Sequence, residues 1–116
     1  MMRRGEIRLT DFEPVRGNEA NKRRPAIIVS NDRANETAAR LGRGVVTVVP
    51  VTSNTARVRP FQVLLRQEST GLRVDAKAQA EQVRAVTVGR VGPLLGVLEP
   101  ELVTELDDAL RLHLDL

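Results

Sequence analysis

A chain of 116 residues with 41% apolar side chains is long enough for one domain, read as residues 1–116, that buries a core by packing alone. With no cysteine and no stretch approaching eighteen apolar residues, it excludes a disulfide framework, a thiolate nucleophile, a Cys-based metal site and a membrane span. The net charge of +3 is uneven, with 13 Lys/Arg against 6 Asp/Glu in residues 1–66 and 5 against 9 in residues 67–116, so anion-binding surface is expected in the first half.

Gly5 to Phe12 alternates Ile7, Leu9 and Asp11 with Glu6, Arg8 and Thr10, which predicts a first strand with one covered face. Glu13 to Lys22 is polar, with Pro14, Gly17 and two Asn, and reads as a connecting loop. Lys22-Arg23-Arg24 then runs directly into Pro25-Ala26-Ile27-Ile28-Val29-Ser30, a nearly continuous apolar strand of central type. Pro25 disfavours helical geometry at Arg24, so that guanidinium stands at the mouth of the strand. Asn31 and Asp32 cap a short helix to about Arg40, closed by Gly42 and Gly44. Val45–Thr52 is a third apolar strand, ending in the hydroxyls of Thr52 and Ser53.

Asn54 to Arg59 reads as a turn and Pro60–Leu65 as a fourth strand. After a turn at Ser69-Thr70-Gly71, Leu72–Asp75 and Ala76–Val83 supply one or two more strands. Ala76, Ala78 and Ala80 alternate there with Lys77, Gln79 and Glu81, giving one close-packed and one polar face. Gln82 to Thr87 is expected to lead out of the sheet, and Val91–Leu98 to hold only a short segment between Gly and Pro residues. Pro100 opens a helix to about Leu114, in which Leu102, Val103, Leu106, Ala109, Leu110 and Leu114 keep the helical period. Short strands followed by one long amphipathic helix predict a mainly β fold, a small antiparallel barrel with short helices and a C-terminal helix. A parallel α/β sheet would need crossover helices, and the segments after Ser53 and Leu65 are too short for them.

The chemistry is concentrated at two strand ends. Arg24 offers a planar fork that holds its charge, and Thr52 and Ser53 offer hydroxyl donors, a set suited to a phosphate. Sixteen of the eighteen cations are Arg, which favours bidentate phosphate contacts and also fits an Arg-rich genome. With Phe12 and Phe61 as the only aromatics, a broad base-stacking platform is excluded, so a nucleic acid would be held through phosphates and polar groups. The single histidine, His113, falls in the last helical turn and reads as a surface or boundary residue. No Asp/Glu/His grouping has metal-ligand spacing, so neither a metal nor another cofactor is expected.

Arg4-Gly5-Glu6-Ile7, Gly17-Asn18-Glu19, Arg24-Pro25-Ala26-Ile27-Ile28-Val29-Ser30, Pro50-Val51-Thr52-Ser53, Pro60-Phe61-Gln62-Val63 and Glu81-Gln82-Val83-Arg84 together resemble the MazF/PemK group of toxin endoribonucleases, with compatible gaps from end to end. The resemblance implies an SH3-like barrel of the kind shared with CcdB-type gyrase poisons. It also implies metal-independent cleavage of single-stranded RNA, the ribose 2′-OH attacking the adjacent phosphorus to leave 2′,3′-cyclic phosphate and 5′-OH ends. Matched positions put Arg24 and Thr52 at the family's catalytic pair, with Ser53 beside them and Glu81 at a carboxylate position used as a base by some members. A guanidinium holds its proton too tightly to be that base itself. Where some of the family carry an Arg two residues before the carboxylate, this chain has Gln79, and its first loop has no His.

Asn18, Glu19, Arg23, Arg57, Phe61, Gln82 and Arg84 are nominated as RNA contacts: Glu19 and Gln82 for base edges, Phe61 for stacking. The family further implies a homodimer held in check by a MazE-like antitoxin whose acidic tail lies across the basic cleft, and the lack of cysteine and of an apolar run of signal-peptide length after Met1-Met2-Arg3-Arg4 gives the expectation of a soluble protein of the cytoplasm. Two other readings share the fold expectation: a non-enzymatic gyrase poison acting through the C-terminal helix, and a plain RNA-binding barrel.

Overall fold

The computed structural model describes residues 2–12 and 22–116. Two strands, β1 (Glu6–Phe12) and β2 (Lys22–Ile28), lead through helix α1 (Asp32–Leu41) into β3 (Val45–Thr52). There follow β4 (Gln62–Leu65), the four-residue helix α2 (Gln67–Thr70), β5 (Ala76–Gln79), β6 (Arg84–Thr87), β7 (Val91–Val97) and helix α3 (Pro100–Leu114). All pairings among them are antiparallel, in the order β4-β5-β3-β2-β1-β7, with β6 also on β3. The mainly β antiparallel architecture with a C-terminal helix is the one expected.

β3 is the strand on which the sheet turns. Residues Val45 to Val48 pair with β6, whereas Val51 and Thr52 pair with β5, so two strands share one side of β3 in succession while β2 holds the other. Its alternating side chains feed two cores. Val46 and Val48 join Phe12, Ala26, Ile28 and Val86 on one face, and Val49 and Val51 join Ile7, Ile27, Leu65 and Ala78 on the other. Helix α1 covers the first core through Ala38, and α3 covers the second through Leu106 and Ala109. Small residues at Ala76, Ala78 and Ala80, all buried, let β5 pack closely against that second core.

Local chemistry accounts for the helix ends. The Asn31 side chain accepts from the Ala34 N–H at 2.9 Å, and Gly42 closes α1 in the left-handed region at φ 66°. Asn35 on α1 is fully buried, and its amide donates to the Ser30 carbonyl at 2.8 Å while Ser30 Oγ accepts from the Thr47 N–H at 3.0 Å. Those bonds tie α1 to the ends of β2 and β3. Pro100 begins α3 as expected, and Leu106 and Ala109 form its buried centre, with Leu114 exposed at the last turn.

Several expectations are corrected. β1 has no solvent face: Glu6, Ile7, Thr10 and Phe12 are all buried because β2 and β7 flank it and both sheet faces carry a core. Residues Arg84–Thr87 form a strand and not an exit from the sheet, since β3 supplies the ladder even though only Val86 is buried. Val91–Val97 is likewise a strand, with register shifts against β1. Its glycines are sites of close backbone approach: a Cβ on Gly92 would lie 2.8 Å from the Leu9 carbonyl, and one on Gly96 1.9 Å from the Thr70 carbonyl. Leu72–Asp75 is not a strand. It is drawn into a tight loop by Gly71 at φ 82° and by the Asp75 carboxylate, which accepts from the Gln67 N–H at 2.8 Å.

Candidate functional site

Three pieces of backbone converge beyond the C-terminal end of β3. The ladder between β2 and β3 runs Ile28↔Val48, Ile27↔Val49, Ala26↔Pro50, and beyond its last pair Arg24 and Thr52 line the same cleft. On the other side of β3, Thr52 pairs with Lys77, so the loop that precedes β5 comes to Ser53. The result is a cleft of ≈ 540 Å³ lined by Arg23, Arg24, Pro25, Val51, Thr52, Ser53, Gly71, Leu72, Arg73, Val74, Ala76 and Leu95. Its volume falls within the range of about 300–1,000 Å³ found for small-ligand sites and exceeds what a bare phosphate needs.

The electrostatics of the lining are one-sided. Three guanidiniums face a cleft to which no described residue contributes a carboxylate. None of the ion pairs formed among the described residues involves Arg23, Arg24 or Arg73. By contrast Arg4, also an arginine of the basic half, is engaged by the Asp107 carboxylate and the Val29 carbonyl. Like charges gathered without counter-charges raise the local potential, and an anion entering the cleft relieves it.

Thr52 is oriented by its own turn. Its Oγ1 accepts from the Asn54 N–H at 3.2 Å, and Asn54 Oδ1 in turn accepts from the Ala56 N–H at 3.2 Å. With an oxygen lone pair occupied by the backbone, the hydroxyl proton is free to donate into the cleft. Lys77 Nζ donates to the Arg57 carbonyl and so pins the far side of the same loop.

Of the residues singled out from the sequence, Arg23, Arg24, Thr52 and Ser53 line this cleft together. Glu81, Arg57, Phe61, Gln82 and Arg84 do not. Glu81 lies in a 3₁₀ turn after β5, where its Oε2 accepts from Gln62 Nε2 at 2.7 Å and its Oε1 is buried without a hydrogen-bond partner among the described residues. Phe61 is half-buried with its ring centroid 6.5 Å from that of His113, and the Arg84 guanidinium sits 5.3 Å from the Phe12 ring centroid. Arg57 and Gln82 are exposed. Asn18 and Glu19 lie outside the described residues.

Arg73, Leu72, Val74 and Leu95 were not anticipated. Arg73 had one faint signal, a cation between two apolar residues just after a turn glycine. Leu95 had none, because it belongs to a strand that its glycines and proline concealed. Among the described residues there is no group of three His, Asp or Glu placed to hold a metal ion, and no helix is long and apolar enough to cross a membrane.

Comparison with known proteins places the chain in a family. The chain is 61% identical to Endoribonuclease MazF9 of Mycobacterium tuberculosis over 116 residues, covering 100% of this chain and 98% of that one. Among solved structures, a mycobacterial endoribonuclease in complex with its cognate antitoxin superposes with a TM-score of 0.75 at 24% identity, covering 100% of this chain and 97% of that one. A MazE-MazF structure from Deinococcus radiodurans gives 0.78 at 24% identity, covering 99% and 96%. At that identity the two structures speak for the fold alone. A family model described as PemK-like, MazF-like toxin of type II toxin-antitoxin system matches residues 3–114, and the chain therefore belongs to the MazF/PemK-like toxins.

Proposed function

We propose that this chain is an endoribonuclease that cuts single-stranded RNA at the cleft formed by Arg24, Thr52 and Ser53. The ribose 2′-oxygen attacks the adjacent phosphorus, the P–O5′ bond breaks, and the ends are a 2′,3′-cyclic phosphate and a 5′-OH. The 2′-hydroxyl gives up its proton, and the departing 5′-oxygen takes one up. Arg24 neutralises the charge that grows on the non-bridging oxygens of the phosphorane and is placed to feed the leaving oxygen, while Thr52 and Ser53 donate hydrogen bonds to the same oxygens. Preorganised donors of this kind act most strongly where charge develops, and the sheet supports this one by holding Arg24 within β2 and Thr52 at the end of β3.

The observation that carries this reading is the meeting of Arg24 with Thr52 and Ser53, distant in sequence, at one cation-rich cleft. Glu81 is a weaker candidate for the group that takes the 2′-proton, because its carboxylate is bonded to Gln62 away from the cleft lining. The same surplus of cations supports an antitoxin whose acidic, disordered segment orders across the cleft, in line with the antitoxin complexes of the structural relatives. A homodimer acting in the cytoplasm, with residues 1–116 as its single domain, completes the reading.

Purified protein incubated with labelled RNA in EDTA should yield fragments with cyclic-phosphate ends. Arg24→Ala should abolish them without loss of the folded circular-dichroism signal, since the Arg24 side chain is partly exposed and belongs to neither core. Full activity in Arg24→Ala would overturn the assignment. Intact RNA with stalled gyrase would point to the poison, and salt-dependent RNA retention without scission to a binding barrel.

A further inference from the structure

The cleft holds two cations more than the proposed chemistry uses: Arg23, next to Arg24 on β2, and Arg73. Arg24, Thr52 and Ser53 account for a single phosphate, yet Arg73 lines the same cleft from a different element. Its loop is closed at both ends. At the start, the Gly71 N–H donates to the Gln67 carbonyl at 3.2 Å and the Leu72 N–H to Thr70 Oγ1 at 3.3 Å. At the finish, Asp75 accepts from the Gln67 N–H. Behind it, Gly96 of β7 packs so near the Thr70 carbonyl that no side chain fits. Asp75, the carboxylate nearest Arg73 in sequence, is thus spent on the backbone and does not line the cleft. Arg73 stands on a braced loop with no ion-pair partner among the described residues.

The chemistry beside it is apolar. Leu72, Val74 and Leu95 line the cleft next to Arg73, and Val74 keeps 55% and Leu95 37% of its surface exposed. An exposed apolar wall in a cleft that also takes guanidiniums from two different elements, β2 and the loop before β5, fits one nucleotide unit, a flat base flanked by two phosphates. We propose that Arg73 binds the phosphate adjacent to the scissile one, so that the cleft grips two consecutive phosphates with the intervening nucleoside against Leu72, Val74 and Leu95. This subsite rests on the nuclease reading above. Arg73 is here a positioning residue, which holds the strand in line and does not touch the reacting phosphorus.

Two measurements test it. The first uses a mixed-sequence 2′-O-methyl RNA octamer, which cannot be cut, and follows its fluorescence anisotropy over a range of KCl concentrations. Arg73→Ala should flatten the plot of log affinity against log salt by about 0.7, the contribution of one phosphate on a single strand, and Arg73→Lys should keep the wild-type slope. An unchanged slope in Arg73→Ala overturns the subsite. The second follows single-turnover cleavage. With long RNA, Arg73→Ala should raise the half-saturating RNA concentration several-fold and leave the saturating rate alone. With a dinucleotide that carries only the scissile phosphate, it should match the wild type.

A fall in the saturating rate like that of Arg24→Ala would overturn the subsite by assigning Arg73 to the scissile phosphate itself. Wild-type protein that cuts no RNA would sink the nuclease reading alone, and the octamer slope would still decide whether Arg73 takes a phosphate. Arg73 is exposed, so loss of folding is not the expected result, and the melting curve of each variant checks it.

Discussion

Thr52 has one hydroxyl for two tasks in the proposed mechanism: its oxygen accepts from the Asn54 N–H, and its proton is left to donate to a phosphate oxygen. Replacing it by the near-isosteric valine removes both at once, whereas serine keeps both. Thr52→Val should therefore slow the cleavage step by about 10²–10³-fold, the usual cost of one oxyanion donor, and Thr52→Ser should stay within about tenfold of wild type. Single-turnover rates at saturating RNA check this, with the melting temperature as the control for folding. A rate for Thr52→Val equal to that for Thr52→Ser would remove the hydroxyl from the mechanism. At this scale the sequence was legible where chemistry and position coincide. Arg24 stands out because Pro25 orients it, and Thr52 because an apolar run stops there, but only the family likeness joins the two across the chain. Glu81 shows the limit, since a carboxylate's motif says nothing of the Gln62 amide that the sheet delivers to it.

Among the elements, β7 governs the wall of the cleft without supplying any of its polar groups. Gly96 lies against the Thr70 carbonyl, and Gly71 has the Leu95 carbonyl only 3.3 Å from where its Cβ would be, so β7, α2 and the Arg73 loop are locked by backbone contact. Gly96→Ala forces a methyl group into backbone that has no slack, and overpacking of this kind costs about 1–3 kcal/mol. The expected result is a lower denaturation midpoint together with a raised half-saturating RNA concentration, because the displaced loop carries Arg73. Gly89→Ala, where a Cβ would meet nothing within 4 Å, is the matched control and should leave both unchanged. A Gly96→Ala protein as stable as wild type would show that this contact carries no weight. β7 and β6 were illegible for a physical reason: both depend on a partner strand for their ladder, and neither carries the continuous β-branched run that marks β2 and β3 from within.

On the scale of the whole molecule, a net charge of only +3 conceals a strong local field. Four of the nine acidic residues of the second half, Glu101, Glu105, Asp107 and Asp108, sit on α3, while no described residue brings a carboxylate to the cleft lining beside Arg23, Arg24 and Arg73. Such a cleft should attract acidic polypeptide as well as RNA. Poly-L-glutamate is expected to inhibit cleavage competitively, raising the half-saturating RNA concentration at an unchanged saturating rate, and to lose its effect as KCl rises and screens the charges. Inhibition that lowers the saturating rate or persists in high salt would place the acidic chain elsewhere.

Patterns that need only near neighbours were readable from the residues alone. The β2 and β3 cores follow from unbroken β-branched runs, the ends of α1 from Asn31 and Gly42, and the span of α3 from Pro100 and a helical period kept to Leu114. What needed the folded chain was everything that depends on distant backbone meeting: the strands β6 and β7, the loop that presents Arg73, and the separation of Glu81 from the cleft. The reason is that a propensity or a cap acts over a few residues, whereas a cleft is made by whichever chain segments the core forces into contact, and that choice is written in packing, not in any one stretch.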